Sequence, residues 1–231
     1  GANIRHIEKH WPDANWDEES QPILNEYIAS LRAADNRLKF SVPENDDYMF
    51  ETEPFEHQRR AFYMSRDKLY FALLMEQGTG KSKIVVDTAA YLYANNKITS
   101  LVIIAPNGVH RNWLRNEIPF HMPEWCPRKM VYYYSGMKKA DKENWNNIAS
   151  CQGHLKIFAF NVEGFVSKLA QKLINTIMLS EDVLLVVDES SRIKRPGAKR
   201  TRFITKIGKL AKYRRILTGT PVIKGPEDVY S

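Results

Sequence analysis

The sequence predicts an α/β fold: a mainly parallel sheet carrying helices on both faces, preceded by a small helical N-terminal extension. Three observations predict it. Short apolar runs, such as Ser100–Ala105 (SLVIIA) and Val183–Val187 (VLLVV), are nearly continuous rather than alternating, which is how strands buried on both faces read. Helical patterns separate these runs, the order expected of βαβ units. The notable residues, Gly78, Asn107, Asp188 and Thr218 among them, follow the runs. In open parallel sheets that is the carboxyl edge, where ligands bind.

The elements follow in chain order. Asp17-Glu18-Glu19 place acids at a helix start, and Ile23, Leu24, Tyr27, Ile28 and Leu31 recur at helical spacing, predicting an amphipathic helix over 17–36. Ser41 to Asp47 reads as a linker, so residues 1–50 are expected to form the extension and 51–231 the main domain. Within that domain a helix over 55–66 precedes a strand over 69–75, and a helix over 81–95 follows a glycine turn. Strand 100–105 leads to a helix over Val109–Glu117, strand 130–134 to a polar helix over 138–149, and strand 155–160 to a helix over 165–179. Strand 183–187 ends at Asp188-Glu189; a basic helix over 198–211 and a strand over 213–217 complete the pattern.

Composition narrows the function classes. The 231 residues are 43% hydrophobic, enough for a real core. No apolar run approaches the roughly 18 residues that suggest a membrane span, and the polar start Gly1-Ala2-Asn3-Ile4-Arg5-His6 is no secretion leader. Cys126 and Cys151 have neither metal nor redox spacing, as in a cytoplasmic protein with reduced thiols. His6 and His10 do not form a zinc motif, because the acid between them is misplaced for it. Charge is more telling. Between Ser190 and Pro226 lie twelve Lys and Arg and no acid, so the remainder carries 22 of the 34 basic groups against all 27 acids. A merely soluble face mixes signs; this block points to a polyanion partner.

Met75-Glu76-Gln77-Gly78-Thr79-Gly80-Lys81-Ser82 sits between a strand and a helix, the context of a phosphate-binding loop. Gly78 and Gly80 let the backbone N–H groups converge on an anion at a helix N-terminus. Lys81 supplies a positive charge for the phosphates, and the Ser82 hydroxyl can ligate Mg²⁺. The first glycine of the full pattern is replaced by Met75. Val183–Val187 runs into two acids, which are costly at a strand end unless they have a partner or a task. Asp188 can hold Mg²⁺ through water and Glu189 can orient or deprotonate an attacking water. Gln58, just upstream, has an amide able to match both N6 and N7 of adenine.

In this order and spacing, the segments resemble superfamily-two helicases and translocases, particularly their Swi/Snf-like branch. Pro54-Phe55-Glu56-His57-Gln58 looks like the adenine-recognising Q motif, and Glu76 to Ser82 like motif I, whose first glycine this family does not demand. Ile104-Ala105-Pro106-Asn107, with Asn112-Trp113 beyond, resembles motif Ia, a DNA-backbone contact. Asp188-Glu189-Ser190-Ser191-Arg192-Ile193-Lys194 resembles motif II with Ser191 where His is usual, and Leu217-Thr218-Gly219-Thr220-Pro221 resembles motif III. The resemblance implies a RecA-like P-loop lobe, ATP and Mg²⁺ as cofactors, and DNA, most simply duplex, as partner. Gly78, Thr79, Gly80, Lys81 and Ser82 would hold the nucleotide, Thr218, Gly219 and Thr220 would couple it to DNA, and Asn107, Arg111, Arg192 and Lys194 would touch the backbone. A second RecA-like lobe with an arginine finger is expected in a longer parent or in trans, since a finger contributes about a thousandfold or more. The lobe alone should therefore hydrolyse ATP weakly. Two other readings are a nucleotide-gated DNA-binding module without turnover and the motor part of a restriction or phage nuclease assembly.

Overall fold

The structure, a computed structural model, describes residues 48–189 and 199–219. The expected helix over 17–36, the linker, and the site candidates Arg192, Lys194 and Thr220 lie outside the described residues.

Among the described residues, six strands form one sheet: β1 Tyr70–Leu74, β2 Ser100–Ala105, β3 Arg128–Tyr132, β4 Leu155–Asn161, β5 Val183–Val187 and β6 Tyr213–Thr218. Their spatial order is β1-β6-β5-β2-β4-β3, and every pairing is parallel. The helices are α1 Glu56–Ser65, α2 Lys81–Ala94, α3 Val109–Asn112, α4 Ile118–His121, α5 Lys139–Ser150, α6 Lys168–Ser180 and α7 Lys199–Gly208. This is the RecA-like arrangement, with the sheet between two helical layers. β2 and β5 are buried at every position, which explains why their sequences do not alternate.

The two sheet faces separate cleanly. Val102, Ile104, Phe158, Phe160, Val183 and Leu185 join Trp145 of α5, Ile174 and Ile177 of α6 and Ile204 and Ile207 of α7 in one apolar cluster. The alternate residues Leu101, Ile103, Ile157, Leu184 and Val186 are equally buried, because successive side chains on a strand point to opposite faces.

Three expectations change. The helix expected over Val109–Glu117 continues to His121 and is interrupted by a π turn at Trp113–Glu117. Pro119 accounts for this, since it lacks an N–H and its ring crowds the carbonyl four residues back. The strand expected at 130–134 starts two residues earlier, at Arg128. Packing of the main lobe already includes Tyr48 and Phe50, inside the stretch assigned to the extension: the Tyr48 and Phe62 rings lie 4.8 Å apart, and the Tyr48 hydroxyl donates to Asp87 at 3.1 Å.

The basic block also divides. Lys199, Arg200, Arg202, Lys206 and Lys209 are exposed on α7 and just after it. By contrast, Arg215 on β6 is 1% exposed and donates to Ser65 O at 2.6 Å and Arg214 O at 2.8 Å. It ties β6 to the carboxyl end of α1. Burial pulls its guanidinium down to about 10. Arg214 lies over the Tyr70 ring at 3.9 Å.

Candidate nucleotide-binding site

The loop between β1 and α2 is built by its two glycines. Gly78 and Gly80 have φ of 78° and 80°, the left-handed region that costs an L side chain about 1–2 kcal/mol. Gly80 is the N-cap of α2, so the loop ends where unpaired helical N–H groups favour an anion. A Cβ at Gly80 would lie 2.2 Å from Gln58 Nε2. Only glycine fits there with Gln58 in place.

Gln58 is held at both ends. The Phe55 N–H donates to its Oε1 at 3.1 Å, and its Nε2 donates to Thr79 O at 3.1 Å. An amide has two donors and two lone-pair directions. These bonds therefore use one of each and leave one donor and one acceptor, the pair that adenine N7 and N6 require. His57 Nε2 also contacts Thr79 O at 3.0 Å. Sequence reasoning missed this second clasp, although the adjacent His57 was in view.

Lys81 lies over its own loop, its Nζ donating to Met75 O and Glu76 O at 2.9 Å each. The Thr79 hydroxyl donates to Glu76 O at 2.7 Å, closing the turn. Ser82 occupies the second position of α2 and is half-buried.

On the same carboxyl edge, the Asp188 N–H donates to Ile104 O at 2.8 Å, extending the β5–β2 ladder by one bond. Asp188 Oδ1 accepts from Glu189 N at 2.9 Å and Oδ2 accepts from Trp113 Nε1 at 2.9 Å. Glu189 has φ of 49°, unusual for a residue with a side chain and typical of functional turns. β6 lies between β1 and β5, and Gly219 at its end approaches the phosphate loop: a Cβ there would be 3.0 Å from Gln77 Cγ and 3.4 Å from Gln77 N. Thr218 is buried beside it.

Asn107 is exposed in the turn after β2, whereas Arg111 is half-buried with its guanidinium 5.2 Å from the Tyr132 ring centre. Among the described residues, no cluster of three or more His, Cys, Asp or Glu could cage a metal. Ser82 in the first turn of α2 and Asp188 at the end of β5 carry a hydroxyl and a carboxylate, oxygen donors of the kind Mg²⁺ takes alongside phosphate oxygens and water.

The SNF2-related domain family matches residues 57–231. Over 148 residues the chain is 28% identical to the Bos taurus SWI/SNF-related matrix-associated actin-dependent regulator of chromatin subfamily A containing DEAD/H box 1, covering 64% of this chain and 13% of that protein. Over 177 residues it is 25% identical to the Bos taurus DNA annealing helicase and endonuclease ZRANB3, covering 77% of this chain and 15% of that protein. The chain thus spans a small part of the length of these relatives. Among solved structures, the Sulfolobus solfataricus SWI2/SNF2 ATPase core in complex with dsDNA aligns with a TM-score of 0.59 at 19% identity, over 83% of this chain and 36% of that one. The UvsW helicase from bacteriophage T4 gives 0.56 at 14%, over 99% and 73%. Both show the same fold.

Proposed function

The chain belongs to the SNF2-related domain family, and from that membership we propose that it is the ATP-binding motor lobe of a DNA helicase or translocase. The observation that carries the reading is the loop itself: Gly80 leaves room for Gln58, which grips Thr79 O beside the α2 N-terminus. One device thereby joins base selection to phosphate binding.

The roles follow from position. Lys81 exchanges its two carbonyl partners for phosphate oxygens, while the backbone of Gly78, Thr79 and Gly80 cradles them. Gln58 selects adenine with its remaining donor and acceptor. Ser82 and Asp188 would hold Mg²⁺, which when bound would neutralise charge developing on the transferred phosphoryl group. Glu189 orients water and takes its proton. Gly219, next to Gln77 of the loop, and its neighbours Thr218 and Thr220 would sense the nucleotide.

DNA is proposed as the partner because one relative is by name a DNA annealing helicase and a dsDNA complex shares the fold. Asn107 and Arg111, together with Arg192 and Lys194, are proposed as backbone contacts. Such contacts give salt-sensitive binding with little sequence preference. Efficient turnover would need a second RecA-like lobe, the lobe alone hydrolysing ATP weakly. The test compares ATPase rates with and without duplex DNA, for this chain and for a longer form containing a second lobe. The longer form should be DNA-stimulated; absence of stimulation overturns the motor reading.

A further inference from the structure

Trp113 reaches the acid end of β5 from the irregular helical segment after β2. Its side chain is 1% exposed, yet its indole N–H reaches Asp188, 75 positions along the chain, at 2.9 Å. An indole nitrogen only donates, so the contact has one polarity: Trp113 donates a hydrogen bond to Oδ2, as the Glu189 N–H does to Oδ1. Each carboxylate oxygen has one internal donor and keeps lone-pair capacity. The carboxylate plane is thereby fixed from both sides.

The backbone that carries Trp113 is irregular. The Ile118 N–H reaches back five residues to Trp113 O, forming the π turn. Such turns recur at functional sites, where they re-aim a side chain. On the exposed side, Asn112 Nδ2 donates to Glu117 Oε1 at 3.1 Å, spanning the turn.

We propose that Trp113 is a positioning residue that holds Asp188, through its indole N–H, in the orientation presenting the remaining oxygen lone pairs to the divalent cation. The inference rests on the reading of Asp188 as the cation-side acid. A hydrogen bond to a ligating carboxylate fixes its direction, and loss of such a partner commonly weakens metal binding 10–100-fold.

The test uses the full chain with ADP and Mn²⁺, reading cation affinity by electron paramagnetic resonance. Trp113→Phe keeps an aromatic ring and removes the donor. Cation affinity should fall about tenfold, while ADP affinity without cation stays at the parent value. Unchanged cation affinity in a folded Trp113→Phe protein, or an equal loss of ADP affinity with and without cation, overturns the proposal. Should Trp113→Phe not fold, benzothienylalanine at position 113 replaces the N–H by sulfur at nearly constant shape and is judged by the same two outcomes. Asp188→Asn separates the two readings. If it leaves Mn²⁺ affinity unchanged, Asp188 is not the cation-side acid and both fall. If it weakens Mn²⁺ and the position-113 variants do not, only the Trp113 inference falls.

Discussion

Replacing Gly80 by Ala tests the clasp between Gln58 and the phosphate loop. Two costs arise. The new residue must hold φ near 80°, at about 1–2 kcal/mol. Its Cβ would sit 2.2 Å from Gln58 Nε2, a distance no real contact sustains. The amide is the free end of a flexible side chain, so it swings away rather than distorting the loop. It then loses its bonds to Phe55 N and Thr79 O, each worth about 0.5–1.5 kcal/mol. Gly80→Ala should therefore destabilise the fold by about 2–5 kcal/mol, and Gln58→Ala by the hydrogen-bond share of about 1–3 kcal/mol. In the double variant that share is lost once rather than twice. A urea-denaturation double-mutant cycle should show the double variant about 1–3 kcal/mol more stable than the sum of single effects predicts. Additivity within about 0.5 kcal/mol would refute the clasp.

Three further outcomes follow from the packing. Burial pushes the Asp87 carboxyl up to about 6 despite its 3.0 Å pair with Lys83; a raised folded value means this group's contribution is full below about pH 3.8 and is lost as pH rises through about 6. Asp87→Asn should flatten the stability–pH slope across that window by on the order of 3 kcal/mol, and an unaltered slope in pH-dependent urea melts contradicts it. Arg215→Met leaves the Ser65 and Arg214 carbonyls without their guanidinium donor and should cost about 2–4 kcal/mol of unfolding free energy; a loss below about 0.5 kcal/mol would show that the contact is dispensable. Replacing Lys199, Arg200, Arg202 and Lys206 together by Ala should make DNA affinity less salt-dependent. The log–log slope should shrink by about 0.9 for each phosphate contact removed, whereas an unchanged slope places the DNA elsewhere.

How much of this was legible in the sequence varied by residue. β2 and β5 were readable to the residue because strands buried on both faces carry apolar side chains without a break. The glycine turn between β1 and α2 was readable because only glycine takes the positive φ found at positions 78 and 80 without strain. Arg215 was not. In the sequence it belongs to a basic block, but β6 turns Tyr213, Arg215 and Leu217 inward and leaves Ile216 42% exposed, so a charge took a core position by finding backbone carbonyls. The Trp113–Asp188 bond was equally hidden, since nothing local relates two residues from different crossovers. The left-handed Glu189 left no sign either, because its φ is set by the turn and not by side-chain type.

The most direct test of the ATP-lobe reading is a titration of ATP and GTP with Mg²⁺ into this chain and its Lys81→Ala variant, read by calorimetry. The parent should bind ATP in preference to GTP, and Lys81→Ala should lose at least about tenfold in ATP affinity, the equivalent of one charged hydrogen bond. Equal binding of ATP by both proteins would contradict the account at its root.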